Sequence, residues 1–171
     1  MDLPTANLPL YQLQQPPPAG FRVSLSADAS LPSPEQLGRP VCVDADGHSP
    51  VYLASAILAN SVHPCKVAPH LRQPCRVPYG GGEQKHNGRY DLLPFDHATM
   101  EWVPTSHGQI PPGRRPIEGG YEEAGKLYHA LALVNGVRVL GKMGHHLGAC
   151  HVAFGGKEVV VRKNYEILCW R

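Results

Sequence analysis

The chain has 171 residues, 42% hydrophobic and 18% charged, with a formal net charge of +2 at pH 7. That size suits one domain or two small ones sharing a core, and the hydrophobic share excludes wholesale disorder. The near-balanced charge, with no Lys/Arg block longer than two residues, excludes a nucleic-acid footprint built on phosphate neutralisation.

Gly and Pro stand at 18 each, which predicts many turns and few long helices. The five cysteines (Cys42, Cys65, Cys75, Cys150, Cys169) are odd in number and contain no CxxC pair. They read as free thiols of a reducing compartment rather than a secreted disulfide framework.

Residues 1–20, "MDLPTANLPLYQLQQPPPAG", have an acid at position 2, no basic start and no apolar run. They read as an extended, Pro-rich arm and not as a signal peptide, and polyproline geometry suits partner recognition. No stretch approaches 18 apolar residues, so no membrane insertion is expected. The expected location is cytoplasmic, with export by an unconventional route left open.

From residue 21 the sequence says the same thing twice. "VYLASAILANSVHPCK" (51–66) aligns with "LYHALALVNGVRVLGK" (127–142), matching Tyr52 to Tyr128, Ala54 to Ala130 and Lys66 to Lys142. "CRVPYGGGEQKHNGRYDLL" from Cys75 aligns with "CHVAFGGKEVVVRKNYEIL" from Cys150. A duplicated unit spanning 21–96 and 102–171, joined through "DHATM", follows. Its period is too long for a one-strand solenoid repeat.

Each copy reads as strands and turns. "YLASAIL" and "YHALALV" are short β-type runs between Gly, Pro, Asn and Ser. Asn135-Gly136 is the strongest hairpin signal. "EVVVRKNYEILCW" reads as two strands and a turn. Gly-Gly at 80–81 and 155–156 permits positive φ and predicts a tight turn or bulge, with Glu83 and Glu158 accepting backbone N–H bonds. A secondary ligand contact is the sharper reading of those two acids. Tyr90 and Tyr165 read as packing residues. The expected fold is all-β: two tandem modules packed with pseudo-two-fold symmetry.

Other chemistry is tested and set aside. Gly120-x4-Gly125-Lys126 imitates a phosphate loop, but Leu127 stands where Ser or Thr would bind magnesium, and a strand pattern follows. It reads as a hairpin. His145, His146, Cys150 and His151 cluster, yet copy one offers only His70 and Cys75, so no metal is expected. Cys75 and Cys150 read as buried small hydrophobes. No GxSxG, HExxH or Cys-His signature is present, so neither an enzyme nor a cofactor is expected.

A set of spaced motifs resembles the DM-nine repeat (natterin-like) family: a Trp-led strand, "IPPG", "GGY" plus an acid, a Tyr strand, "GK", a Cys strand, "FGGKE" and "YEIL". The second copy matches throughout. The first is looser, with Phe21 for Trp102, "PCK" for "GK" and "GGGE" for "GGKE". The resemblance implies β-rich tandem repeats and a mannose-binding lectin of innate immunity that needs no metal. It also implies that the acid after "GY" and the Lys of "GK" hold the sugar.

Carried over by position, these are Glu122 and Lys142 in the second copy. In the first they are Asp44 (or Asp46) and Lys66. Glu122 replaces the usual Asp, and copy one lacks "GGY". A carboxylate accepting two hydroxyl bonds beside an ammonium donor suits vicinal sugar hydroxyls, because charge-assisted bonds are the strong ones. The lysines are expected at strand ends, presented by exposed loops. The alternative is a non-catalytic structural or adaptor protein docking into a larger assembly. The partner classes are therefore mannose-type glycans, a protein assembly, or a second copy as a homodimer.

Overall fold

Period-two alternation broken by Gly-rich turns gives strands rather than helices throughout the computed structural model, which describes residues 16–171. Residues 1–15 of the expected arm lie outside them. The strands are β1 (Val23–Ser26), β2 (Cys42–Val43), β3 (Pro50–Ile57), β4 (Val62–Val67), β5 (Cys75–Tyr79), β6 (Gly82–Lys85) and β7 (Arg89–Leu93). They continue with β8 (Met100–Thr105), β9 (Arg115–Pro116), β10 (Glu118–Glu122), β11 (Gly125–Val134) and β12 (Val137–Gly144). β13 (Ala149–Phe154), β14 (Lys157–Val161) and β15 (Tyr165–Trp170) complete the set. Among the described residues helix is limited to one turn, α1 (Pro34–Leu37), and a 3-10 turn at His145–Leu147. The chain is all-β.

β3 to β6 form an antiparallel meander, and β7 returns to β3. β11 to β14 form another, and β15 returns to β11. β1 extends the first through β7, and β8 the second through β15. Asn135-Gly136 turns β11 into β12, as its sequence predicts. The Gly-Gly pairs turn β5 into β6 and β13 into β14, with φ of 61° and 81° at Gly80 and Gly81 and 61° and 80° at Gly155 and Gly156. A Cβ would strain all four.

The two meanders are joined at both ends. β6 pairs β14 at Gly82 and Lys157. There the Glu83 N–H donates to the Gly156 carbonyl and the Glu158 N–H to the Gly81 carbonyl, each at 3.1 Å. β10 pairs its own β11 but also reaches across to β4, Tyr121 against Val62. Following β4–β5–β6–β14–β13–β12–β11–β10 therefore returns to β4. The closed β-barrel leaves no free edge along that path.

Alternation sorts the core into layers. Tyr52, Ala54 and Ala56 of β3 pack with Cys65, Cys75, Val77 and Tyr90. Ala130 and Ala132 of β11 pack with Cys150, Val152 and Tyr165. The opposite faces meet in a shared cluster holding Val51, Leu53 and Leu93 with Leu131, Leu140, Leu168 and Trp170. Cys75, Cys150, Tyr90 and Tyr165 are all at most 1% exposed, as packing residues should be. The shared layer and the barrel seam bring residues of the two meanders together.

Candidate functional site

Lys66 on β4 and Lys142 on β12 are each 4% exposed. The expectation that exposed loops present them is thus corrected: both lie within strands, and β12 packs against β4 across the seam. A buried ammonium needs partners, because an uncompensated charge away from water is costly. Each lysine finds one on the other side.

Lys66 Nζ donates to the Ala153 carbonyl at 2.9 Å and lies 3.7 Å from Glu83 Oε1. Glu83 also faces Arg76 at 3.5 Å and accepts the Gly156 N–H at 3.1 Å. The expected backbone acceptor role of Glu83 is therefore present, but it serves the opposite meander's turn.

Lys142 Nζ meets His63 Nδ1 at 3.0 Å and lies 5.6 Å from the centre of the Tyr79 ring. An ammonium only donates, so His63 Nδ1 accepts and Nε2 carries the proton, 2.9 Å from Ser61 Oγ. Burial, with Lys142 alongside, depresses the His63 pKa to about 4. Burial likewise lowers that of Lys142, while Glu158 and Glu122 oppose the shift.

Glu122 lies 4.0 Å from His63 Nε2 and accepts from His146 Nε2 at 2.6 Å. Glu158 accepts from His151 Nδ1 at 2.6 Å, which, with help from Lys142, holds its carboxyl below the ordinary value. Its second oxygen is buried without a hydrogen-bond partner.

The structure thus gathers Glu122, Lys142 and Glu158 around His63. It does not place Asp44 in an ion pair with Lys66: Asp44 meets His70 Nε2 at 3.1 Å. Asp46 spends its carboxylate on Ser49 and His48 within its own loop, bonds that hold its pKa low. His146 and His151 are each committed to a glutamate, and Cys150 is buried in β13. Among the described residues no group of three His, Cys, Asp or Glu side chains is arranged to hold a metal ion. Glu122 sits opposite Gly125 where β10 turns into β11, the hairpin read from the sequence.

The sequence matches the DM9 repeat over residues 44–161. The chain belongs to the DM9 repeat family. A comparison with curated proteins returns no match. Among solved structures the fold is similar to that of the nematode sperm cell motility protein MFP2B, with a TM-score of 0.61 at 15% identity. The alignment covers 88% of this chain and 43% of that one, so the DM9 chain spans less than half of MFP2B. At that identity the likeness speaks of fold alone.

Sequence reasoning missed His63 and Tyr79 in this DM9 site. His63 aligns with Val139, so repetition carried no signal for it, whereas Tyr79 matches Phe154 as the aromatic of the shared phrase. The legible trait of His63 was departure from the repeat: a polar residue where the other copy has an apolar one.

Proposed function

We propose that the protein is a non-catalytic, carbohydrate-binding DM9 protein that recognises mannose-type glycans through the acid and lysine of each repeat: Glu122 with Lys142, and Asp44 with Lys66. The units are residues 21–96 and 102–171, related by a pseudo-two-fold axis. The observation that carries the reading is the buried Lys142, which touches His63 and Tyr79 while Glu122 lies on the far side of the same histidine. Charged donors and acceptors converging beside an aromatic ring are what a hexose needs, hydroxyls on one side and an apolar C–H face on the other. Preformed strands hold these groups, which lowers the ordering cost of binding. Two sites on one chain, or on a homodimer, would add avidity.

Retention on mannose-coated beads, release by free mannose and loss in a Glu122→Ala variant test the proposal. Retention unchanged in that variant removes Glu122 from the site. The adaptor reading draws on the tied-down Lys66 and on the fold likeness to a protein named for sperm motility. Recovery from extract of a stoichiometric protein complex indifferent to mannose would favour it.

A further inference from the structure

We infer that the arginine-lined crevice at the end of β15 is a binding site for a phosphate group carried on an apolar, ring-like body. This site shares no residue with the acid and lysine positions above, and the inference stands apart from the carbohydrate reading.

The crevice has a volume of about 480 Å³ and is lined by Arg114, Arg115 and Arg171, with Pro16, Thr99 and Trp170 among its other walls. Pairing of β9 with the end of β15 sets Trp170 opposite Arg115. The Arg171 N–H donates to the Thr99 carbonyl at 2.9 Å, which draws the "DHATM" joint alongside. Three stretches far apart in sequence thus converge on one basic hollow.

One carboxylate serves these cations. Glu101 accepts from Arg114 and, at 3.1 Å, from Arg171 Nη1. Arg115 has no carboxylate within ion-pair distance among the described residues. Its Nη2 donates to the Pro16 carbonyl at 2.5 Å, and its guanidinium lies over the Trp170 ring, 5.9 Å from the centre. Asp96, close by, is engaged in its own turn by the Ala98 N–H at 2.9 Å and the Thr99 hydroxyl at 3.4 Å.

A guanidinium offers five N–H donors. Both side-chain bonds of Arg114 come from Nη2, to Glu101 and to the Trp170 carbonyl. Arg171 uses Nε, to the His97 carbonyl at 2.6 Å, and Nη1. Each arginine therefore keeps donors free for a further acceptor. Exposed ion pairs contribute little to stability, so the Glu101 pairs alone do not explain three clustered arginines. Planar forks match phosphate oxygens in pairs. A phosphate monoester brings three terminal oxygens and the charge to balance two cations, where a carboxylate brings two oxygens and one charge.

The duplication separates fold from charge. Arg115 corresponds to Arg39, which bridges Phe95 as Arg115 pairs Trp170. That contact belongs to both repeats. Arg114 corresponds to Gly38 and Arg171 to Asp96, so the repeat fold forms without either cation. The basic hollow is a property of the second repeat.

An apolar groove of about 750 Å³ adjoins it, sharing Pro16, Thr99 and Trp170 and continuing past Phe21, Pro94 and Met100. Phe21 is 78% exposed. A ring attached to the bound phosphate would cover this surface, and aromatic contact adds to the charged bonds. The charge of the hollow and the adjoining apolar wall together select an aryl phosphate.

Titration calorimetry of the full chain with phenyl phosphate, inorganic phosphate and benzoate, at fixed ionic strength, tests the inference. Phenyl phosphate should bind about tenfold more tightly than either of the others. Arg171→Gln should weaken it about tenfold, while Arg138→Gln, on β12 and paired with Glu166, should bind like the native chain. Phe21→Ser should bring phenyl phosphate down to the level of inorganic phosphate and leave the latter unchanged. Arg171 and Phe21 are exposed, so both variants should melt near the native temperature. No uptake of phenyl phosphate by the native chain, or unchanged binding in Arg171→Gln, overturns the site. Benzoate binding as tightly as phenyl phosphate overturns the choice of phosphate, and equal affinity for the two phosphates overturns the apolar body.

Discussion

Lys66 Nζ is bonded to the backbone carbonyl of Ala153, a residue 87 positions further along the chain, at 2.9 Å. A residue singled out for ligand chemistry is thus a strut between the meanders, with Glu83 beside it. Lys66→Met keeps the length of the side chain and removes the donor, leaving a carbonyl without this partner. Stability should fall by about 1–3 kcal/mol, read as a lower midpoint in urea unfolding. An unmoved midpoint would show that the strut contributes nothing.

Arg22 joins the same two halves from the N-terminal side. Its guanidinium donates to Ser55 Oγ at 2.8 Å, the Glu118 carbonyl at 3.0 Å and His129 Nε2 at 3.0 Å. Burial brings its pKa down to about 10, which still leaves it charged at neutral pH. Arg22→Ala should cost about 2–3 kcal/mol, since it strands acceptors on both meanders. Arg22→Lys should recover only part, because a point charge cannot bridge what the planar fork bridges. Thermal melts of the two variants rank them, and equal melting temperatures would contradict the fork argument.

Gly120 is where β10 crosses to β4. A Cβ at this position would overlap the Val62 carbonyl oxygen, so Gly120→Ala must push the strands apart. A loss of about 1–3 kcal/mol is expected, the usual cost of overpacking. Hydrogen exchange should quicken at Val62 and Tyr121 and stay native at the Asn135-Gly136 hairpin. Uniform protection would mean that the crossing is not what holds the barrel closed.

Acid should weaken the fold through its buried histidines. His63 titrates near 4 in the folded chain, well below its ordinary 6.5, and burial with Arg22 alongside pushes His129 well down too. Between those two values the unfolded chain binds protons that the folded chain refuses. Stability is therefore fully present above about pH 6.5 and is lost as pH falls toward about 4. His63→Gln should flatten that slope. Melting temperature followed from pH 7 to 4 in both proteins gives the answer, and parallel curves would clear His63 of the effect.

Residue pattern alone carried much of this protein. The short runs "YLASAIL" and "YHALALV", bounded by Gly, Pro, Asn and Ser, specified strands, and β3 is buried on both faces. Asn135-Gly136 and the two Gly-Gly pairs specified turns, because those backbones tolerate positive φ. The spaced motifs led to the family. What pattern could not carry was partnership across the seam. Lys66 and Lys142 hold matching positions in the repeat, yet one meets a carbonyl and a carboxylate, the other a histidine and a tyrosine. All but the Glu83 carboxylate arrive from the opposite meander, when β6 meets β14 and β10 meets β4. Local propensity governs which strand a residue joins; only closure of the barrel decides which distant polar groups must satisfy one another out of water.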